Sequence, residues 1–346
     1  MNDLIVVDAD VLGRERTGDE TYVRNLLREL PAPAEEAGLR VAAITRHPEL
    51  VPDGVEPIEL DASPQELRMA WSLPRLLRRI GAGLVHTQYA MPLRCPCPAV
   101  VTIHDLSFER DASLMGARDR AVFRRVVPRA ARRAERVLTV SERSKADLVE
   151  LYGIAPERVV VTPNGVDPAF HPGEAEERGY VLAVGAIQAR KGQQLALAAA
   201  REVGLPLVVV GPVKDAALAE QLRSGGARLE GYVPIERLAE LYRGAACLVQ
   251  TSRYEGFGLP VLEAMASGTP VVTLPDPALL EVAGDAALVV EPERLADGIR
   301  AAVAEHDRLA WAGLERARAF SWRTTAETTV SVYREALEIP SGRGNL

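Results

Sequence analysis

Long apolar runs are missing from this 346-residue chain. Nothing approaches the roughly 20 consecutive apolar residues of a membrane-spanning helix, so no such span is expected. An excess of positive charge is missing as well. The formal net charge is −7, whereas a general nucleic-acid binder is usually basic. Cysteine is scarce: Cys95, Cys97 and Cys247 form an odd set without framework spacing, as thiols in a reducing compartment do. The "CPC" pair is not spaced C-x-x-C, and no second ligand pair follows, so no zinc site is expected. The opening "MNDLIVVDADV" has neither the basic start nor the long apolar core of a signal peptide. These absences point to a cytoplasmic protein. Absent too is G-x-G-x-x-G after a strand, the fingerprint of a dinucleotide-dependent oxidoreductase.

What is present is the balance of a globular protein, 47% hydrophobic and 26% charged, long enough for one large or two ordinary domains. Short, near-continuous apolar runs alternate with helical patterns. In the first half they are 4–7, 41–45, 84–87, 99–103, 136–140 and 159–162, as expected of strands buried on both faces. Between them Val23, Leu26, Leu27 and Leu30 form a helical stripe, and a helix is expected from Ser144, with Asp147 as its capping-box partner and Gly153 as its stop. The segment "TPNGVDPAFHPGEAEERG" (162–179) is rich in Pro, Gly and charge and reads as a linker. The alternation then restarts at 180–185, 206–211, 227–231, 246–250, 270–273 and 286–290, with a helix from Pro234 to Gly244 and a last one over 321–339. The fold class expected is α/β, with two mostly parallel sheets that bind ligands outside the carboxyl ends of their strands.

The stretch "TSRYEGFGLPVLEAMASGTPVVT" (251–273) brackets a glycine-containing apolar run with Glu255 and Glu263. Spacing alone decides little, because "ERSKADLVE" (142–150) and "ETTVSVYRE" (327–335) repeat it in what read as ordinary solvated helices. The interior is more informative. A buried strand ends near Ser252, Gly256 and Gly258 permit close backbone approach, and Pro260 suits the first turn of a helix over about 260–267. The first N–H groups of such a helix attract an anion. Glu263, placed in the first turn, either sits there because the dipole favours it or accepts hydrogen bonds from two adjacent hydroxyls, as on a ribose. Arg190 and Lys191 follow the strand ending at Gly185 and would supply cations for a diphosphate. In the first half, His104 and Asp105 follow a buried strand, and Thr17–Gly18 precede a helix.

Together these motifs resemble the family 4 retaining glycosyltransferases, which are nucleotide-sugar-dependent enzymes of the GT-B fold. The resemblance is carried by "YEGFGLPVLEAMASGTPVV", "TGDETYVRNLL", "TIHDLSFE", "LTVSERSKADLVELYGIAPERVVVTPNGVD", "VGAIQARKG", "LEGYVPIERLAELYRGAACLVQTS" and "FSWRTTAETTVSVYREAL", and so runs along nearly the whole chain. It implies two Rossmann-like domains facing across a deep cleft: residues 1–170 on the acceptor side, residues 171–321 binding the nucleotide sugar, and a terminal helix over 322–346 crossing back to the first. It implies that Glu263 holds the donor ribose. Gly256, Phe257, Gly258 and Leu259, with Gly185, would present backbone to the phosphates and sugar. Glu255 would contact the transferred sugar, Arg190 and Lys191 the diphosphate, Tyr232 and Val233 the base, and His104 the sugar from the first domain. Gly18 and Asp105 fall on the acceptor side. Many relatives carry a double glycine where this chain has Thr17–Gly18–Asp19, and a separated Arg and Lys where this chain has adjacent ones.

The expected activity is therefore retaining hexosyl transfer from a nucleoside diphosphate sugar, with a lean to GDP-mannose, onto a carbohydrate or lipid-linked acceptor hydroxyl. No cofactor or metal is expected, because Arg190, Lys191 and a helix N-terminus can carry the phosphate charge. The Asp8–Ala9–Asp10 match to a metal pattern is common by chance. The alternatives are a sugar-nucleotide epimerase on the same fold and a non-catalytic binding subunit. Finally, residues 117–137 hold eight arginines in an acidic chain. They read either as a solvated helix interrupted near Pro128 or as a basic surface (118–136) for peripheral contact with the inner face of a membrane.

Overall fold

The computed structural model describes residues 3–14, 17–61, 64–111, 116–173 and 178–339. Part of the expected linker, 174–177, lies outside them, as does the side chain of Thr17. The chain divides into two compact units, Met1–Gly165 with Trp322–Leu346, and Val166–Ser321. Phe170 packs edge-on against Tyr242 within the second unit at 5.6 Å.

The first unit holds a parallel sheet ordered β3-β2-β1-β4-β5-β6-β7. Its strands are β1 (Asp3–Asp8), β2 (Leu39–Thr45), β3 (Glu56–Glu59), β4 (Leu84–Gln88), β5 (Ala99–Thr102), β6 (Arg136–Thr139) and β7 (Val159–Val161). The second unit holds a parallel sheet ordered β10-β9-β8-β11-β12-β13. These strands are β8 (Tyr180–Val184), β9 (Leu207–Val210), β10 (Arg228–Gly231), β11 (Ala245–Gln250), β12 (Val271–Thr273) and β13 (Leu288–Val289). Both sheets are doubly wound. The strand order reverses between β1 and β4 in one and between β8 and β11 in the other, and the crevice outside the carboxyl ends at such a point is where this architecture takes ligands. The apolar runs form the central strands because side chains on both faces are buried, as for Ile5, Val6, Val100, Val101, Val208 and Val209.

Three local readings are corrected. The helix expected from Ser144 spans Glu142–Tyr152, and its N-cap is Ser141, whose side chain accepts from the Ser144 N–H. Strand β6 ends one residue earlier than its apolar run, which leaves Ser141 extended and placed to cap. Asp147 is buried and pairs with Arg110 at 2.6 Å rather than capping. Pro128 does not interrupt the arginine-rich segment, which is one helix over Ala117–Arg133. Proline costs that helix a backbone hydrogen bond. Val127, Ala130 and Ala131 offset the cost by packing on Val101, Phe108, Leu148 and Tyr152. The run 286–290 yields only the two residues of β13, preceded by a short 3-10 turn over Gly284–Ala286. The edge strand β3, "EPIE", carries no apolar run, and only Ile58 among its side chains is half-buried.

The last helix, Trp322–Glu338, packs within the first unit. Val330 and Tyr333 are buried on its inner face. The Tyr333 hydroxyl shares a 2.6 Å hydrogen bond with His86 Nδ1 on β4, and His86 Nε2 lies 2.7 Å from the Thr102 hydroxyl on β5. The Tyr22 hydroxyl lies 3.1 Å from the same Thr102 oxygen. Burial pushes the pKa of His86 down to about 3, so its ring is neutral.

Candidate active site

In the second unit, two turns at the β8/β11 reversal are built as one piece. After β8, a 3-10 turn over Ala189–Lys191 ends at Gly192, whose φ is +64°. Any Cβ there would stand 2.4 Å from the Thr251 carbonyl oxygen, so only glycine fits. Three hydrogen bonds tie this turn to the chain after β11. Arg253 N–H donates to Arg190 O at 3.0 Å, Thr251 Oγ1 donates to Lys191 O at 2.8 Å, and the Arg190 guanidinium donates to Tyr254 O at 2.9 Å. Gly185, at the end of β8, lies under the aliphatic stem of Lys191.

That latch sets Lys191 and Arg190 against Glu255. Lys191 Nζ donates to Glu255 Oε1 at 2.5 Å, and Arg190 Nη1 stands 3.6 Å from Oε2. Gln250 Nε2, at the end of β11, donates to the same Oε1 at 2.7 Å. The Glu255 N–H points to Asp276 Oδ2 at 3.4 Å, and Asp276 also caps the Pro277–Ala283 helix. Burial of Glu255 on its own would raise its pKa. The charges of Lys191 and Arg190, with hydrogen bonds from Lys191 and Ser252, outweigh burial and bring it down to about 2.

The glycine turn follows at once. Gly258 takes φ +116° and opens the helix Leu259–Ala266, with Pro260 in its first turn. A Cβ on Gly258 would press on Leu279 at 2.8 Å. The buried Phe257 ring is held edge-on by Phe320 at 5.8 Å, Gly256 is buried and Leu259 half-buried. Glu263 was expected in the first turn. It lies in the second, because the helix already starts at Leu259 and turns every 3.6 residues. The dipole at the helix start therefore does not account for this carboxylate. Glu263 is 8% exposed and accepts a 2.7 Å hydrogen bond from the Tyr242 hydroxyl. Burial raises its pKa to about 7, with the Tyr242 hydrogen bond opposing and the Asp167 charge assisting.

Tyr232 and Val233 follow β10 in the same unit, and Tyr232 is half exposed. Among the described residues, no hydrogen bond or ion pair joins them to the Glu255 cluster. His104, Asp105 and Gly18 belong to the first unit. His104 follows β5, and its Nε2 donates to Gln88 Oε1 at 3.1 Å, next to the end of β4. Tyr22 packs edge-on against its ring at 4.7 Å. Burial lowers the His104 pKa against the opposing charges of Asp19 and Asp105, so the ring is neutral with Nδ1 as its acceptor. The Ser144 hydroxyl donates to the His104 carbonyl at 3.1 Å. Asp105 Oδ1 accepts from Ser107 N–H at 2.8 Å and so holds the following turn. Gly18 lies in the first turn of the Thr17–Glu29 helix and is exposed.

Asp8 and Asp10 are spent on cations. Arg68, fully buried, donates to both Asp8 oxygens at 2.9 and 2.6 Å, and Asp10 pairs with Arg14 and, at 3.0 Å, with Arg46. Among the described residues, no group of three His, Cys, Asp or Glu could hold a metal ion. Sequence reasoning missed Gln250, Tyr242, Asp276 and Gln88. Gln250 and Gln88 share one legible signal, a polar side chain closing an apolar strand at its carboxyl end.

Residues 16–170 match the family described as Glycosyltransferase Family 4, and residues 169–315 match Glycosyl transferases group 1. A D-inositol 3-phosphate glycosyltransferase from Catenulispora acidiphila is 30% identical, over 96% of this chain and 93% of its own. The O-antigen chain mannosyltransferase B of Escherichia coli is 32% identical, over 58% of this chain and 61% of its own length. An MMP alpha-(1->4)-mannosyltransferase from Mycolicibacterium hassiacum is 34% identical, over 69% and 66%. Among solved structures, sucrose-phosphate synthase from Thermosynechococcus elongatus superposes with a TM-score of 0.79 at 22% identity, covering 97% of this chain and 99% of that one. WaaG, a glycosyltransferase of lipopolysaccharide biosynthesis, gives 0.73 at 19% identity, covering 95% and 99%. With two doubly wound parallel sheets and these matches along its length, the chain belongs to the family 4 glycosyltransferases and has the GT-B fold.

Proposed function

We propose that the protein transfers a hexosyl group from a nucleoside diphosphate sugar to an acceptor hydroxyl of a carbohydrate or lipid-linked glycan, with retention and without a metal. The observation that carries this reading is the Lys191–Glu255–Arg190 cluster, latched between two turns at the strand reversal of the second sheet. Two cations beside a helix N-terminus suit a diphosphate. As the sugar–phosphate bond breaks, negative charge grows on the leaving oxygen, and Lys191 and Arg190 stabilise it.

Glu255 is ionised across the neutral range, so it does not donate the proton. Its Oε1 is engaged by Lys191 and Gln250, which suits holding the sugar and countering positive charge more than attacking it. The leaving phosphate then takes the acceptor proton on the face where the acceptor adds. The ribose diol donates to Glu263, and the backbone of Gly256–Leu259 lies along the phosphates and sugar. In the first unit, the neutral His104 ring has Nδ1 available to accept from a ligand hydroxyl. Two relatives are mannosyltransferases, which favours mannose as the transferred sugar, and GDP-mannose is the first donor to test.

The test is a thermal-shift and titration panel of nucleoside diphosphates and their sugars, followed by analysis of the product anomer. A ligand at 100 times its Kd raises stability by about 2.7 kcal/mol. Glu263→Ala should weaken nucleoside diphosphate binding at least ~10-fold, through lost charge-assisted hydrogen bonds. Unchanged affinity would remove Glu263 from the ribose. A sugar nucleotide that is isomerised without acceptor would replace the transferase reading with an epimerase.

A further inference from the structure

Within the first unit, a pocket of about 520 Å³ opens between the Ala117–Arg133 helix and the end of the Glu142–Tyr152 helix. Arg124, Arg125, Arg129 and Arg132 line it, and Glu109 is its one acidic side chain. Its volume is within the range of small-molecule sites, though its lining is far more basic than most.

Two of the four guanidinium groups are fixed by the protein. Arg124 Nε pairs with Glu109 Oε2 at 2.9 Å, and Glu109 Oε1 accepts from the Tyr152 hydroxyl at 3.1 Å. The Arg132 guanidinium donates to the Tyr152 carbonyl at 3.2 Å. The other two, Arg125 and Arg129, are exposed and have no ion-pair partner among the described residues. They stand one helical turn apart, and Arg132 continues their face. Glu109 is already shared between Arg124 and Tyr152 and cannot neutralise the rest. The pocket thus concentrates uncompensated positive charge in a chain whose net charge is −7. Two of its walls are anchored in the unit: Pro128 is buried in the helix, and Tyr152 belongs to the core.

We propose that this pocket is a second anion site of the protein and takes a phosphate or diphosphate group. Phosphate oxygens match the planar forks of several arginines at once. Arg124 and Arg132 are pre-positioned, and Arg125 and Arg129 complete the ring of donors. The phosphate can come from a soluble compound or from an anionic lipid headgroup. Lipid in the second case is recognised by its phosphate rather than by insertion, because among the described residues of these two helices the exposed large apolar side chains are Val122 and Leu151. The site is independent of the Glu255 cluster and of any turnover.

The test uses the full chain and two probes. Inorganic pyrophosphate is titrated calorimetrically, in a Lys191→Ala background so that the donor site contributes little. Vesicles of phosphatidylcholine, with and without phosphatidic acid, are sedimented with the protein. Charge reversal by Arg125→Glu with Arg129→Glu should weaken binding of at least one probe about tenfold or more. Loss confined to pyrophosphate identifies a soluble phosphate, and loss confined to the acidic vesicles identifies a headgroup. Both residues are exposed, so circular dichroism should be unchanged. Arg125→Lys with Arg129→Lys keeps the charge and removes the forks, and should also weaken binding. The proposal is overturned if neither probe binds, if charge reversal leaves binding intact, or if the lysine variant binds like the parent. Nucleotide-dependent thermal shifts report on the other site and do not enter this outcome.

Discussion

Glu255 and Glu263 have the same side chain, the same 8% exposure and opposite electrostatics. Glu255, facing two cations, is held at about 2, whereas Glu263, facing a tyrosine hydroxyl, is raised to about 7. The difference makes them separable by experiment. Glu255→Gln keeps the shape and removes the charge. Turnover should fall on the order of 10²-fold, the usual scale for one lost electrostatic contact to a transition state. Binding of free nucleoside diphosphate should be retained or tightened, because Lys191 and Arg190 are released from their carboxylate. Equal losses in kcat and affinity would contradict a role in the sugar-transfer step.

Glu263 sets a pH dependence. A ribose diol donates to a carboxylate, so the ionised form binds. Nucleotide affinity should rise with pH through about 7 and be about tenfold below its plateau at pH 6. Stability runs the other way. A carboxyl with a raised folded-state pKa favours the fold fully below its unfolded value near 4.5, and that contribution is lost as pH rises through about 7. Tyr242→Phe removes the one hydrogen bond that lowers the Glu263 pKa. The affinity midpoint should therefore move to higher pH, as read by titrating nucleoside diphosphate across pH 5.5–9. A midpoint that stays in place would show that Tyr242 does not tune Glu263. The sequence pointed to both glutamates, Lys191 and Arg190. It could not reveal that Tyr242, 21 positions before Glu263, meets it, because no local pattern encodes a contact between consecutive helices of a sheet protein.

At the scale of elements, the site is two turns sharing hydrogen bonds, and its weak point is Gly192. Gly192→Ala would force a left-handed alanine against the Thr251 carbonyl. The backbone conformation alone costs about 1–2 kcal/mol, and the contact adds to it. Chemical denaturation should register that loss. Nucleotide binding should weaken as well, because a displaced turn carries Lys191 with it. A variant with both properties unchanged would mean that the turn relaxes freely. Strand positions were legible wherever both faces are buried, since a run such as "LVVV" has no helical reading of comparable quality. Where one of those conditions fails, the pattern fails too. Strand β3 is an exposed edge, and β13 is two residues long. The capping error at Ser144 has a similar origin. Both Ser141 and Ser144 fit a cap by type, and only the end of β6 decides between them.

At the scale of the molecule, the chain leaves its first unit after Gly165 and returns to it at Trp322. Family resemblance suggested this return, and amphipathicity alone did not, because a helix with one apolar face fits many surfaces. What fixes the partner is polar. Tyr333 meets His86, and His86 meets Thr102, in a fully buried chain of hydrogen bonds. Tyr333→Phe would leave His86 Nδ1 without its partner in the interior and should cost about 1–3 kcal/mol, measured by denaturant titration. A loss below ~0.5 kcal/mol would mean that water or a rotated imidazole replaces the tyrosine.

The return of the last helix also orders events in time. Protein synthesis is vectorial, and domains tend to fold as units while the chain emerges. The residues of the second unit have all been made before Trp322 is added. The first unit, although its sheet is translated before the second unit, lacks the tyrosine that satisfies His86 until residue 333 is added. Its sheet is therefore expected to complete its packing only once Trp322–Glu338 has been made, because His86 lacks its Tyr333 partner until then. A nascent chain arrested before residue 322 should carry a protease-resistant second unit and a first unit that is still susceptible.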